Sequence, residues 1–98
     1  MVLGAKTWLY TKGVVNLERD EYGVYELLDS SYKVRYIGYG LVRVKLLIHF
    51  ADGLDPITGA RFYSVEYTWS EQKAKQRELV ELDEYYKQYG KYPRFNQQ

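Results

Sequence analysis

The chain has 98 residues, 46% hydrophobic, 28% charged and 17% aromatic, which bounds it to one small domain and excludes a disordered segment. Fourteen basic against 13 acidic residues leave a net charge of +1, so no bulk excess of positive charge is available to drive nucleic-acid binding. The absence of cysteine and the single histidine, His49, exclude disulfides, thiolate chemistry and a multi-histidine zinc site.

No apolar run approaches the roughly 18 residues of a membrane span. Residues 1–12 lack the charged-then-apolar layout of an export signal, so the expected setting is cytoplasmic. Residues 7–11 (TWLYT) read as a short strand that can extend the sheet at its N-terminal side. Gly13 and residues 16–20 read as a connection. Residues 22–28 (YGVYELL) and 32–39 (YKVRYIGY) both alternate and flank the turn cluster Asp29-Ser30-Ser31, which predicts an antiparallel hairpin. In the second strand Val34, Tyr36 and Gly38 are expected on one face, with Gly38 and Gly40 ending it.

Residues 41–50 (LVRVKLLIHF) are apolar almost all round. Their length and the breakers at both ends favour a helix, on which Lys45 and His49 share a face and Arg43 points elsewhere. Residues 52–59 read as a loop, with Asp52 and Asp55 too sparse for a calcium site. Residues 62–69 (FYSVEYTW) are aromatic and β-branched and predict a third strand. Ser70 is a good N-cap for a helix over 71–89, which Gly90 and Pro93 end. Its expected apolar stripe is Ala74, Leu82, Tyr85 and Tyr89, flanked by Leu79 and Tyr86. Glu78 falls inside that stripe. A carboxylate there either reaches water at the edge, pairs with a tyrosine, or marks a functional site.

Charge is unevenly placed. Lys73, Lys75 and Arg77 form a basic block, Glu78, Glu81, Asp83 and Glu84 an acidic one, and Lys87, Lys91 and Arg94 a basic end. The default reading of Lys73, Lys75 and Arg77 is a solvated helix face, although local patches can guide a polyanion. The 12 tyrosines read mainly as core, since a phenol ring enlarges a limited apolar interior. Tyr39, Tyr63 and Tyr67 are taken as packing residues.

Four short signals occur in order: Gly23-Val24-Tyr25, then Tyr36-Ile37-Gly38, then Ala74 with Glu78 four residues on, then Pro93-Arg94-Phe95-Asn96. In order and spacing this set resembles the GIY-YIG nuclease superfamily over roughly residues 20–96. The resemblance implies an α+β domain of GIY-YIG type, an antiparallel three-stranded sheet opening with a hairpin and packed with helices. It implies a single Mg²⁺ or Mn²⁺ ion on Glu78, catalytic tyrosines at Tyr25 and Tyr36, an ordering asparagine at Asn96 and a catalytic position at His49. The superfamily's helix arginine corresponds to Lys45 when the alignment is anchored on His49-Phe50, and to Arg43 when it is counted from Gly38. Lys45 is favoured because it shares His49's face.

The implied activity is metal-dependent hydrolysis of DNA phosphodiester bonds, on branched, flapped or plain DNA. Substrate choice would then come from DNA shape, from a second copy of the chain or from a protein partner. Two other readings stand beside it: a domain of this fold that binds nucleic acid or protein without turnover, and an unrelated α+β interaction domain whose tyrosines only fill its core.

Overall fold

The computed structural model describes residues 6–97. They form a small α+β domain whose four antiparallel strands are ordered β1-β4-β2-β3. In chain order the elements are β1 (Trp8–Leu9), α1 (Lys12–Val15), β2 (Tyr22–Leu28), β3 (Val34–Leu41), α2 (Val42–Ile48), β4 (Phe62–Tyr67) and α3 (Glu71–Tyr89). A 3-10 turn, Arg94–Asn96, follows α3. The short strand expected over 7–11 is β1, and it pairs with β4. No helix among the described residues is long and apolar enough to cross a membrane.

The β2–β3 hairpin forms as its alternation requires. Asp29 sets the turn, its side chain accepting from the backbone N–H groups of Ser31 and Lys33. Two expectations for β3 need correction. Leu27 pairs with Tyr36 and Leu28 with Val34, so Arg35 is a bulged extra residue and the side-chain alternation slips. Val34 therefore packs with Ile37 on one face, whereas Tyr36 packs on the other. Gly38 and Gly40 also do not end the strand. Both stay in the ladder, opposite Tyr25 and Gly23, because strand pairing uses backbone groups that glycine retains.

The sheet separates two apolar layers. Tyr25, Leu27 and Tyr63 pack on Val15 of α1 and on Val42 and Leu46 of α2. Val24 and Ile37 face the opposite way and pack on Tyr85 and Leu82 of α3. α1 is a single turn capped by the Thr11 side chain, within the region expected to be a plain connection.

Helix α3 starts and stops as its caps predict. The Ser70 hydroxyl accepts from the N–H of Lys73, and Gly90 takes the left-handed conformation at φ 74°. The expected stripe is only partly buried, since Ala74, Glu81 and Tyr85 face inward while Leu79, Tyr86 and Tyr89 are exposed. A carboxylate, Glu81, thus occupies a position the hydrophobic pattern gives to an apolar residue.

A tyrosine–histidine cavity as the candidate active site

Tyr25 lies at the centre of β2 and is 1% exposed. Its ring crosses the paired Gly38, where an added Cβ would come within 2.5 Å of the hydroxyl. Glycine on β3 therefore gives the phenol its place. Tyr36 packs beside it, with ring centroids 6.2 Å apart. His49 closes α2 as its C-cap residue and is 2% exposed. Its ring centroid stands 4.9 Å from that of Tyr36.

The hydrogen bonds fix the histidine's protonation. Nδ1 lies 2.8 Å from the backbone carbonyl of Asp55, and Nε2 lies 2.7 Å from the Tyr25 hydroxyl. A carbonyl can only accept, so Nδ1 carries the hydrogen and donates. Burial lowers the His49 pKa below the usual 6.5, with Lys45 adding to the fall and the Asp55 carbonyl and carboxylate opposing it. The neutral ring therefore presents a bare Nε2, and Tyr25 O–H donates to it.

Lys45, one turn before His49, lies with its side chain across Gly40, whose added Cβ would meet the lysine stem at 2.9 Å. Glu78 arrives from α3. Together Tyr25, Tyr36, Lys45, His49 and Glu78 line one cavity of about 410 Å³. Glu78 is partly buried. Burial raises its carboxyl pKa, and Lys75 only partly offsets this. Tyr25 is held well above the ordinary phenol value by burial first, then by Tyr36 and Glu78. Burial and Glu78 raise Tyr36 as well. Both phenols are protonated at neutral pH.

Arg43 and Asn96 do not line this cavity. The Arg43 guanidinium turns away to Asp20, 3.6 Å distant, so of the two expected cations Lys45 lines the cavity and Arg43 does not. Asn96 acts on the backbone instead. Its Oδ1 accepts from the N–H of Ile37 and its Nδ2 donates to the Ile37 carbonyl, both at 2.9 Å. Since β3 is the sheet edge, this amide satisfies backbone groups that have no strand partner, between Tyr36 and Gly38.

Three contributors escaped the sequence reading. Tyr39 lines the cavity and is not a packing residue alone. The Asp55 carbonyl orients His49, and a backbone acceptor leaves no mark on residue type. The third lies outside the cavity and is a charged network beneath α3. Arg77 donates to Glu81 at 2.6 Å and to Glu66 at 3.0 Å, while the buried Glu26 accepts from Ser64. The i,i+4 spacing of Arg77 and Glu81 is a visible signal, but their burial depends on β4.

A divalent ion is the group to test against these residues. Among the described residues no three His, Cys, Asp or Glu side chains gather into a metal cage. One partly buried carboxylate facing a polar cavity nevertheless suits a hard ion such as magnesium, which keeps several waters and takes few protein oxygens. Comparison with protein-family models, curated proteins and solved structures yields no match.

Proposed function

We propose that the chain is a divalent-metal-dependent endonuclease that hydrolyses DNA phosphodiester bonds in the manner of the GIY-YIG superfamily. The observation that carries this reading is the convergence of Tyr25, Tyr36, Lys45, His49 and Glu78 on one cavity. These residues come from β2, β3, α2 and α3, so chain proximity alone does not gather them. Phosphodiester hydrolysis needs a route for the water's proton, positive charge near the phosphate and a fixed geometry. The cavity holds a candidate for each.

His49 Nε2 holds the Tyr25 hydroxyl hydrogen. As a water oxygen bonds to phosphorus, its proton passes to the Tyr25 oxygen while the Tyr25 proton passes to Nε2. The P–O bond to the leaving sugar breaks, and that oxygen takes up a proton from solvent. The high pKa of Tyr25 means that a free phenolate is not the resting form, so a concerted relay suits the site better than a preformed base. Tyr36 packs beside Tyr25 and His49 and helps hold both rings in place. The Lys45 ammonium offsets negative charge building on the phosphate oxygens. Glu78 would hold the Mg²⁺ or Mn²⁺ ion, which when bound polarises the phosphate.

The test is a cleavage assay with magnesium or manganese on flapped, branched and plain duplex DNA, run beside Glu78→Ala. Metal-dependent cleavage that the substitution abolishes supports the reading. No cleavage of any substrate overturns it.

The direction of Arg43 favours a second reading. With its guanidinium on Asp20, the cavity has an ammonium but not the planar fork that grips a phosphate bidentately. A domain that binds DNA without turnover would give salt-dependent affinity and no cleavage in the same assay.

A further inference from the structure

Besides the tyrosine–histidine site, the molecule has a second polar groove of about 430 Å³, bounded by the β2–β3 turn, the outer edge of β3 and the segment after α3. Lys33, Arg35, Lys91 and Arg94 line it, against one carboxylate, Asp29. Four cations and one anion leave this groove at +3, while the whole chain carries +1. The positive charge is thus concentrated rather than spread.

The cations differ in how firmly they are held. Arg35 donates through Nε to the Thr58 carbonyl at 2.8 Å and sits over the Phe95 ring at 5.4 Å. Arg94 flanks the same ring at 5.8 Å, so two guanidiniums are ordered around one phenyl group. Arg35 stands 3.8 Å from Asp29. Among the described residues Lys33, Lys91 and Arg94 are in no ion pair, which leaves three cations to meet an external anion.

We infer that this groove binds the phosphate backbone of a nucleic acid and holds the strand that enters the Tyr25–His49 cavity. Continuity along β3 favours that ligand over other polyanions. Arg35 lines the groove, and Tyr36, Tyr39 and Gly40 of the same strand line the cavity. Arg35 and Gly40 are five positions apart along the strand, about 16 Å at the usual rise. One strand of B-form DNA advances about 3.4 Å per nucleotide, so about five nucleotides bridge the two. The inference rests on the nuclease reading for the identity of the cavity, but it concerns binding.

The experiment measures DNA affinity against salt for the Glu78→Ala protein, with and without Lys33→Ala, Lys91→Ala and Arg94→Ala together. Lys12→Ala with Lys87→Ala is the comparison, since those lysines pair with Asp52 and Asp83 and lie outside the groove. The groove variant is expected to bind at least about tenfold more weakly at moderate salt. Each lost phosphate contact flattens the log–log salt slope by about 0.9. The comparison variant should stay close to its parent, and Lys33→Arg with Lys91→Arg should retain binding. Equal affinities for the groove and comparison variants overturn the inference while leaving the cleavage result standing. Binding to anionic phospholipid vesicles but not to DNA overturns it as well, as does absence of DNA binding at low salt. Absence of cleavage by the unsubstituted chain, with the groove's contribution to the salt slope intact, would instead count against the catalytic reading alone.

Discussion

The Tyr25 hydroxyl donates to His49 Nε2 at 2.7 Å, and the far side of the imidazole sets the direction of that bond, because Nδ1 faces the Asp55 carbonyl at 2.8 Å. The ring should therefore be the neutral Nδ1–H tautomer at pH 7, readable from its nitrogen shifts by NMR. Burial places the folded pKa below 6.5. Above pH 6.5 both the folded and unfolded chains hold His49 neutral, and its contribution to stability is constant. As the pH falls below 6.5 the unfolded chain takes a proton that the fold resists, so stability declines until the folded pKa is reached. In His49→Gln that slope should shrink. An imidazole that titrates at or above 6.5 in the folded protein would contradict this assignment.

Gly38 is the residue on which the site geometry turns. An added methyl would lie 2.5 Å from the Tyr25 hydroxyl and 2.7 Å from Tyr36 Cε2, and Tyr25 could withdraw only by giving up its bond to His49 Nε2. Gly38→Ala should cost about 1–3 kcal/mol of stability, the range for overpacking. It should also lengthen the Tyr25–His49 bond. Chemical denaturation reads the first effect, and a change in His49 tautomer populations reads the second. A variant as stable as its parent would mean that the rings adjust without cost.

Lys45 is the cation at the cavity, and it carries the charge contribution in the proposed hydrolysis. Lys45→Met should lower the cleavage rate by about 10²-fold or more, the scale for removing one preorganised charge-stabilising group. Lys45→Arg should retain or raise the rate, because the guanidinium fork fits phosphate oxygens. Arg43→Ala should change it little, since that side chain faces Asp20.

Asn96 holds both polar groups of the Ile37 backbone. Asn96→Ala leaves an N–H and a carbonyl of the edge strand partly buried without their partner. The expected loss is about 1–3 kcal/mol. Amide hydrogen exchange at Ile37 should speed up more than at Leu27 on the central strand β2. Asn96→Asp keeps the acceptor and loses the donor, so it should fall between parent and alanine.

The hairpin, the long helix and its caps were legible because each rests on local chemistry: alternation over 22–28, the Ser70 hydroxyl and the left-handed Gly90. Tyr25, Tyr36, Lys45, His49 and Glu78 meet at one cavity while Arg43 and Asn96 do not, and motif order carries no information on which way each side chain turns. The bulge at Arg35 could not be read, since a one-residue slip depends on how Leu27 and Leu28 pair across the turn. That slip sent Val34 and Tyr36 to opposite faces against the simple alternation. Helix α1 is one turn long and leaves too little periodicity to detect. Glu81 stands in the sequence only as one member of an acidic block, and nothing local marks it as buried. Its burial is set by β4, which brings Glu66 to Arg77 from another part of the chain.

That network yields a prediction about stability rather than activity. The Glu81 side chain is fully buried, and Arg77 donates to it at 2.6 Å while also reaching Glu66. Two charges withdrawn from water stabilise little as a pair, because desolvation offsets their attraction. Removing one partner is a different matter. Arg77→Ala would leave a buried carboxylate without its cation and should cost about 3–5 kcal/mol. Glu81→Leu together with Arg77→Met removes both charges and should recover most of that loss or exceed the parent. Urea denaturation of the two variants and the parent separates the cases. A loss below about 1 kcal/mol in Arg77→Ala would mean that water or a proton reaches Glu81 readily, and that α3 is held by Tyr85 and Leu82 against Val24 and Ile37 alone.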